Sequence, residues 1–142
     1  MLVRLLYASR AAQPLSTETV ETILAQSRAH NPEHGVTGIL CYSGDIFMQV
    51  LEGGRDAVCE LYNNIARDER HLNVRLLSYE EISERRFANW TMGQVNLAKV
   101  NPSMMLKYAK TAELDPFNCS GQASMALLDD LIATGAVLGR AG

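Results

Sequence analysis

The chain has no surplus of positive charge. Its 142 residues carry 13 Lys and Arg against 16 Asp and Glu, a net charge of −3. That excludes a protein that grips nucleic acid directly through a basic face. Long apolar runs are also lacking; none approaches the roughly 20 residues a membrane-spanning helix needs. The amino terminus, MLVRLLYASR, is too short and turns polar too soon to be a secretory signal. Cysteine is scarce: Cys41, Cys59 and Cys119 are widely spaced and form no CxxC pair. A disulfide frame or zinc site is disfavoured, and a reducing, cytoplasmic setting fits.

Several chemistries lack their motifs too. Gly53-Gly54 is followed by no Lys-Ser/Thr and belongs to no GxGxxG, so it is not a phosphate loop. No Ser or Cys has a motif-supported base, which leaves a hydrolytic triad without backing. His30 and His34 are four apart, but Pro32 between them interrupts the helix that would align two metal ligands. There are no repeats and no low-complexity stretches.

What remains is ordinary globular composition, 47% hydrophobic and 20% charged, in a chain long enough for one domain with a sizeable core. Residues 2–9 alternate as a strand: Val3, Leu5, Tyr7 and Ser9 share one face, Leu2, Arg4, Leu6 and Ala8 the other. Ser16 is a helix cap, with Leu15 placed to staple onto Val20. Asn31-Pro32 should end that helix, because the residue before proline is pushed out of the α region. Two strands, 35–43 and 45–52, flank a tight turn at Ser43-Gly44-Asp45. A helix over DAVCELYNNIARD turns Val58, Leu61, Tyr62 and Ile65 inward. Further strands are predicted near 72–82 and 91–97. The order βαββαββ is the ferredoxin-like α+β plan, with both helices on one face of the sheet. Asn101-Pro102 opens a tail helix reaching about 112, and a stripe of Leu127, Leu128, Leu131 and Ile132 forms another. Both should cover the second face, making 99–142 a cap on the globule formed by 1–98. The charges at Glu80-Glu81 and Glu84-Arg85-Arg86 read as a solvated loop.

One residue does not suit this core. In IFMQVLEG, Gln49 sits mid-strand among apolar neighbours. A primary amide offers two N–H donors and an acceptor, and each buried group left unpaired costs about 1–3 kcal/mol. Phe47, Gln49 and Leu51 share a face, and Tyr7 can meet Gln49 if the first and third strands are neighbours. Asn31 ends the first helix in the same neighbourhood, and Asp68, Arg70 and His71 crowd the end of the second. Two amides and a phenol around an apolar slot, with Ile23 and Ile65 on its sides, suit a flat hydrogen-bonding heterocycle. From spacing alone, a buried Tyr or Gln bonded to backbone or water is the commoner outcome. Trp90 and Met92, two apart, would project from one face of a strand, and by spacing alone are two core residues.

Five motifs in order carry a more specific resemblance: RLLYAS, HN followed by GVTGIL, FMQVLEG, DERH, and RFANWTMG. Over residues 2–97 the chain resembles the BLUF domains, which sense blue light with FAD. The resemblance implies a flavin between the two helices, FAD with FMN as the alternative. It implies Tyr7 as electron and proton donor, and Gln49 as the amide bridging Tyr7 and the flavin. Asn31, with His30 beside it, would hold the ring's pyrimidine side, and Trp90 and Met92 would serve signalling near Gln49. Ser9, Ile23, Phe47, Ile65, Asp68, Arg70 and His71 complete the expected flavin surroundings. Pro32 departs from the family pattern and should affect the stiffness of the loop. The implied function is a photoreceptor that turns over no substrate and signals to a downstream protein, with homo-oligomers a weaker expectation. Two other classes stay open: a small flavin-dependent oxidoreductase, and a cofactor-free interaction module.

Overall fold

A computed structural model of the chain describes residues 1–139. The first strand, β1 (Leu2–Ala11), is buried along nearly its whole length because both of its faces are covered. Ser16 caps α1 (Thr17–His30), its Oγ accepting from the Thr19 N–H at 3.1 Å. The hairpin β2 (Thr37–Ser43) and β3 (Ile46–Gly54) follows, then α2 (Arg55–Arg67), β4 (His71–Ile82) and β5 (Gly93–Asn96). The strands lie in the order β4-β1-β3-β2-β5, antiparallel except for the parallel pair β2·β5. This is the ferredoxin-like βαββαββ plan, with β1 beside β3.

Strand alternation divides the core in two. Val3, Leu5, Tyr7, Phe47 and Leu51 pack with Val20 and Leu24 of α1 and Val58 of α2. Leu6, Met48 and Val50 face the other way, onto Met105, Leu127, Leu128 and Leu131 of the tail. Those come from α3 (Pro102–Leu106) and α4 (Gly121–Ala133). The tail therefore covers the second face as its apolar stripe predicted. The expected cap 99–142 extends past the described residues at 140–142. Among the described residues no helix is long and apolar enough to cross a membrane.

Three expectations need correction. α1 does end where Asn31-Pro32 predicted, at His30 with Asn31 as its C-cap, but not for the expected reason: Asn31 keeps helical angles, φ −63°, ψ −39°, with its N–H on the Ser27 carbonyl. The chain tightens into a 3-10 turn over Asn31–His34, closed by Gly35 in the left-handed region at φ 67°. The first tail helix ends at Leu106, not near 112. And the charges read as a solvated loop are neither all in a loop nor free: Glu80 and Glu81 lie in β4, paired with Arg4 and Arg55, and the loop 83–92 is tied down. Glu52, fully buried at the end of β3, accepts from the backbone N–H groups of Arg86 (3.0 Å) and Phe87 (2.6 Å). Arg85 bonds Thr37 and the Glu52 carbonyl, and Arg86 pairs with Asp129.

Candidate functional site

Between α1 and α2, above the sheet, lies a cavity of about 470 Å³, within the range of small-molecule and cofactor sites. Its floor is set by strand register. Tyr7 and Gln49 are direct partners across β1 and β3 and point to the same face. The Tyr7 O–H donates to Gln49 Oε1 at 2.5 Å, and Gln49 Nε2 donates to Met92 Sδ at 3.2 Å. Burial pushes the Tyr7 phenol well above its ordinary range, and Tyr62 and Asp68 add to the effect. Tyr7 thus keeps its proton in the resting protein and acts as the donor of that bond.

Asn31 stands on the wall at 5% exposure, and its Nδ2 has no partner among the described residues. A buried donor left so costs about 1–3 kcal/mol, a cost that an acceptor on a bound molecule removes. This orphaned donor, the amide–phenol pair and the volume fit the flavin that the five motifs imply.

The remaining expected residues divide into lining and support. Ile23, His30, Ile65, Asp68, Arg70 and His71 line the cavity with Tyr7, Asn31 and Gln49. Asp68 pairs with Arg70 at 2.6 Å, whose hydrogen bonds hold the Asp68 carboxyl below the usual range. Arg70 also reaches Gln26 of α1 at 3.1 Å, linking the two sides of the opening. Ser9 and Phe47 do not line the cavity; they brace His71. Ser9 Oγ lies 2.8 Å from His71 Nδ1, and the Phe47 ring centre is 5.1 Å from that of His71. Burial lowers the His71 pKa, against the pull of Asp68 and with a smaller push from Arg70.

Trp90 and Met92 do not share a face. Both precede β5, where strand alternation does not apply. Trp90 packs into the tail-side core, while Met92 enters the helix-side core beside Gln49. Gly93 permits this reversal: a Cβ there would lie 2.6 Å from the Trp90 ring and 2.7 Å from Val137.

Sequence reading missed Gln26, Ser27, His34 and Asn64 in the lining. A signal was present, since Ile23, Gln26, Ser27 and His30 follow i, i+3, i+4, i+7 along one helix face. A helix that only packs on a sheet would carry apolar groups there.

The profile of the BLUF family, described as sensors of blue light using FAD, matches residues 2–93. The photoactivated adenylate cyclase subunit beta of Euglena longa is 36% identical over 92 residues, 64% of this chain and 11% of that protein. The chain thus spans about a tenth of the length of that relative. Among solved structures, the photo-activated state of BlsA aligns with a TM-score of 0.81 at 28% identity, covering 93% of this chain and 95% of the other. The dark state of the BLUF protein BlrB aligns with a TM-score of 0.77 at 34% identity, covering 94% and 96%. Profile, relatives and fold agree: the chain belongs to the BLUF family, sensors of blue light using FAD.

Proposed function

We propose that the cavity binds FAD and that Tyr7, Gln49 and Met92 form the light-operated switch, with Asn31 holding the ring. The observation that carries this reading is Gln49, a buried amide bonded to Tyr7 on one side and Met92 on the other, in one cavity with an Asn31 donor that has no partner among the described residues. When bound, the flavin supplies blue-light absorption and, once excited, a strong one-electron acceptor. Tyr7 would be the residue that lends an electron and its phenolic proton to that chemistry and takes both back, leaving no net oxidation. The lasting difference lies in Gln49. Its amide changes hydrogen-bonding arrangement, by rotation, which exchanges the end that faces Tyr7, or by tautomerisation, which changes donor and acceptor roles with the ends in place; either is a two-state element of the kind a small energetic bias can tip. In the resting arrangement Met92 favours Nε2 on its side. The altered arrangement puts a different hydrogen bond on the cavity and moves the absorption slightly to the red.

On this reading the chain is not an enzyme; it turns over no substrate and signals by contact with a partner protein. We assign residues 1–98 as the flavin-binding unit and 99–142 as its cap, and infer a cytoplasmic location from the three free cysteines. The test is the absorption spectrum of the purified full chain, recorded dark and after blue light. A flavin spectrum that shifts to the red and returns in the dark is expected. A colourless protein overturns flavin binding, and a flavin that bleaches with a substrate supports an oxidoreductase instead. Mass measurement of the released cofactor should give FAD; FMN would correct the cofactor alone.

A further inference from the structure

We propose that Glu52 is a positioning residue for the switch: its buried carboxylate fastens the loop that sets Met92 against Gln49. The inference rests on the photochemical reading above, but its geometry stands apart. Glu52 lies three residues beyond Gln49 on β3 and faces the opposite side of the sheet, fully buried. Both of its oxygens face N–H donors. Oε1 accepts from the Phe87 backbone at 2.6 Å. Oε2 accepts from Arg4 Nε at 2.8 Å and from the Arg86 backbone at 3.0 Å. Neutralising Arg4 does not by itself account for this, because Glu80 also pairs with Arg4, at 2.8 Å. Two of the three bonds hold loop backbone.

From that clamp the chain runs a short, constrained path. Phe87 is fully buried, with the Arg4 guanidinium 5.9 Å from its ring centre. The Trp90 carbonyl accepts from the Gly38 N–H at 2.9 Å. Two residues later Met92 Sδ meets Gln49, and the Met92 carbonyl accepts from Arg28 at 3.3 Å. Glu52 and Gln49 share a strand, so the clamp and the switch are referred to one rigid element. A fixed sulfur is what makes the two ends of the Gln49 amide unequal. Loosening it removes part of the preference for the resting arrangement.

Glu52→Gln tests this with almost no change of shape. A glutamine has one acceptor oxygen and one NH₂ in place of two acceptor oxygens. If its oxygen keeps Arg4 and Arg86, its NH₂ confronts the Phe87 N–H, donor against donor. The reverse orientation confronts Arg86 and Arg4. Either way one loop amide is released, while Glu80 keeps Arg4 paired and no cavity-lining group is altered. The full chain, with methyl-¹³C methionine and Met92 assigned through Met92→Leu, is examined beside Glu52→Gln. We expect the Met92 methyl resonance to move or broaden. In the flavin-loaded variant the light-minus-dark difference should fall below about half, and one of the two loop amides, Arg86 or Phe87, should exchange about tenfold faster. An unchanged Met92 resonance, or a full-size light difference in a folded Glu52→Gln, overturns the proposal and leaves Glu52 a stability element only. The methyl reading needs neither flavin nor light. A wild-type chain that fails to shift red would sink the photochemical reading while Met92 still decides the positioning. If Glu52→Gln does not fold, Glu52→Asp takes its place. It keeps the charge but draws the carboxylate back by one methylene, out of reach of the Arg86 and Phe87 amides together, and should move the Met92 resonance and the light difference in the same sense. No movement there overturns the proposal equally.

Discussion

Gln49 Nε2 donates to Met92 Sδ across 3.2 Å, while the Oε1 of the same amide accepts from Tyr7. The two ends of one side chain are therefore told apart by two different neighbours. A thioether is a weak acceptor, so Met92 biases the amide without locking it. Met92→Leu keeps the volume and should cost less than about 1.5 kcal/mol of stability. Flavin retention should survive. The dark spectrum should already lie part of the way to the red, shrinking the light-induced difference. A Met92→Leu protein with wild-type dark and lit spectra would remove Met92 from the switch.

Asn31 should have opposite effects with and without flavin. Its Nδ2 is buried with no partner among the described residues, so in protein stripped of flavin Asn31→Ala should leave thermal stability unchanged or raise it. In the loaded protein the same change removes a ring contact and should weaken flavin affinity about 5- to 150-fold, matching about 1–3 kcal/mol. Titrating flavin into the apo variants measures the second effect and calorimetry the first. Equal affinities would show that Asn31 does not hold the ring.

The lowered pKa of His71 gives a pH dependence with a definite sign. Burial favours the neutral ring in the folded chain, so between the folded value and the ordinary 6.5 the unfolded chain binds more protons. This contribution is fully present above 6.5 and is lost as pH falls towards the folded value. Urea unfolding from about pH 7.5 down to about pH 5 should show declining stability, and His71→Gln should flatten that slope. An equally steep decline in the variant would place its origin elsewhere.

The tail has a direct contact to report through. Gln94 and Leu138 exchange both backbone bonds at 2.9 Å, two residues from Met92. Light should therefore change hydrogen exchange at the Gln94 and Leu138 amides, and through them in residues 101–135. Truncation after Lys99 should leave a photoactive but less stable core, because the tail-side core loses Met105, Leu127, Leu128 and Leu131. Identical exchange in dark and light would mean that the tail does not carry the output.

Much of this was legible in the sequence because it follows from short-range rules. Strand alternation placed Tyr7 and Gln49 on one face, and the βαββαββ order put their strands side by side. Ser16 announced its helix, and the Leu127–Leu131 stripe announced the cover for the second face. What stayed hidden depends on contacts far apart in the chain. Pro32 marked the helix end correctly, yet Asn31 as the C-cap keeps helical angles because its N–H finds Ser27 and its carbonyl finds Val36. Trp90 and Met92 looked like strand neighbours, but β5 begins only at Gly93, whose close approach to the Trp90 ring goes with their lying in opposite cores. Glu52 did leave a trace: Arg4 and Glu52, opposite in charge, both belong to the tail-side face by alternation.

Whether the Gln49 amide is the switch is decided by Gln49→Leu. Leucine is close in volume and suits the apolar surroundings of β3, so the variant should fold and bind flavin. No amide remains to change partners. Light-minus-dark absorption spectra are recorded for the wild-type chain, Gln49→Leu and, as a companion, Tyr7→Phe, which keeps the ring and loses the oxidisable O–H. If the amide is the switch, the wild type shows a reversible red shift and neither variant a lasting one, both of them yellow. A normal red shift in flavin-loaded Gln49→Leu would contradict it.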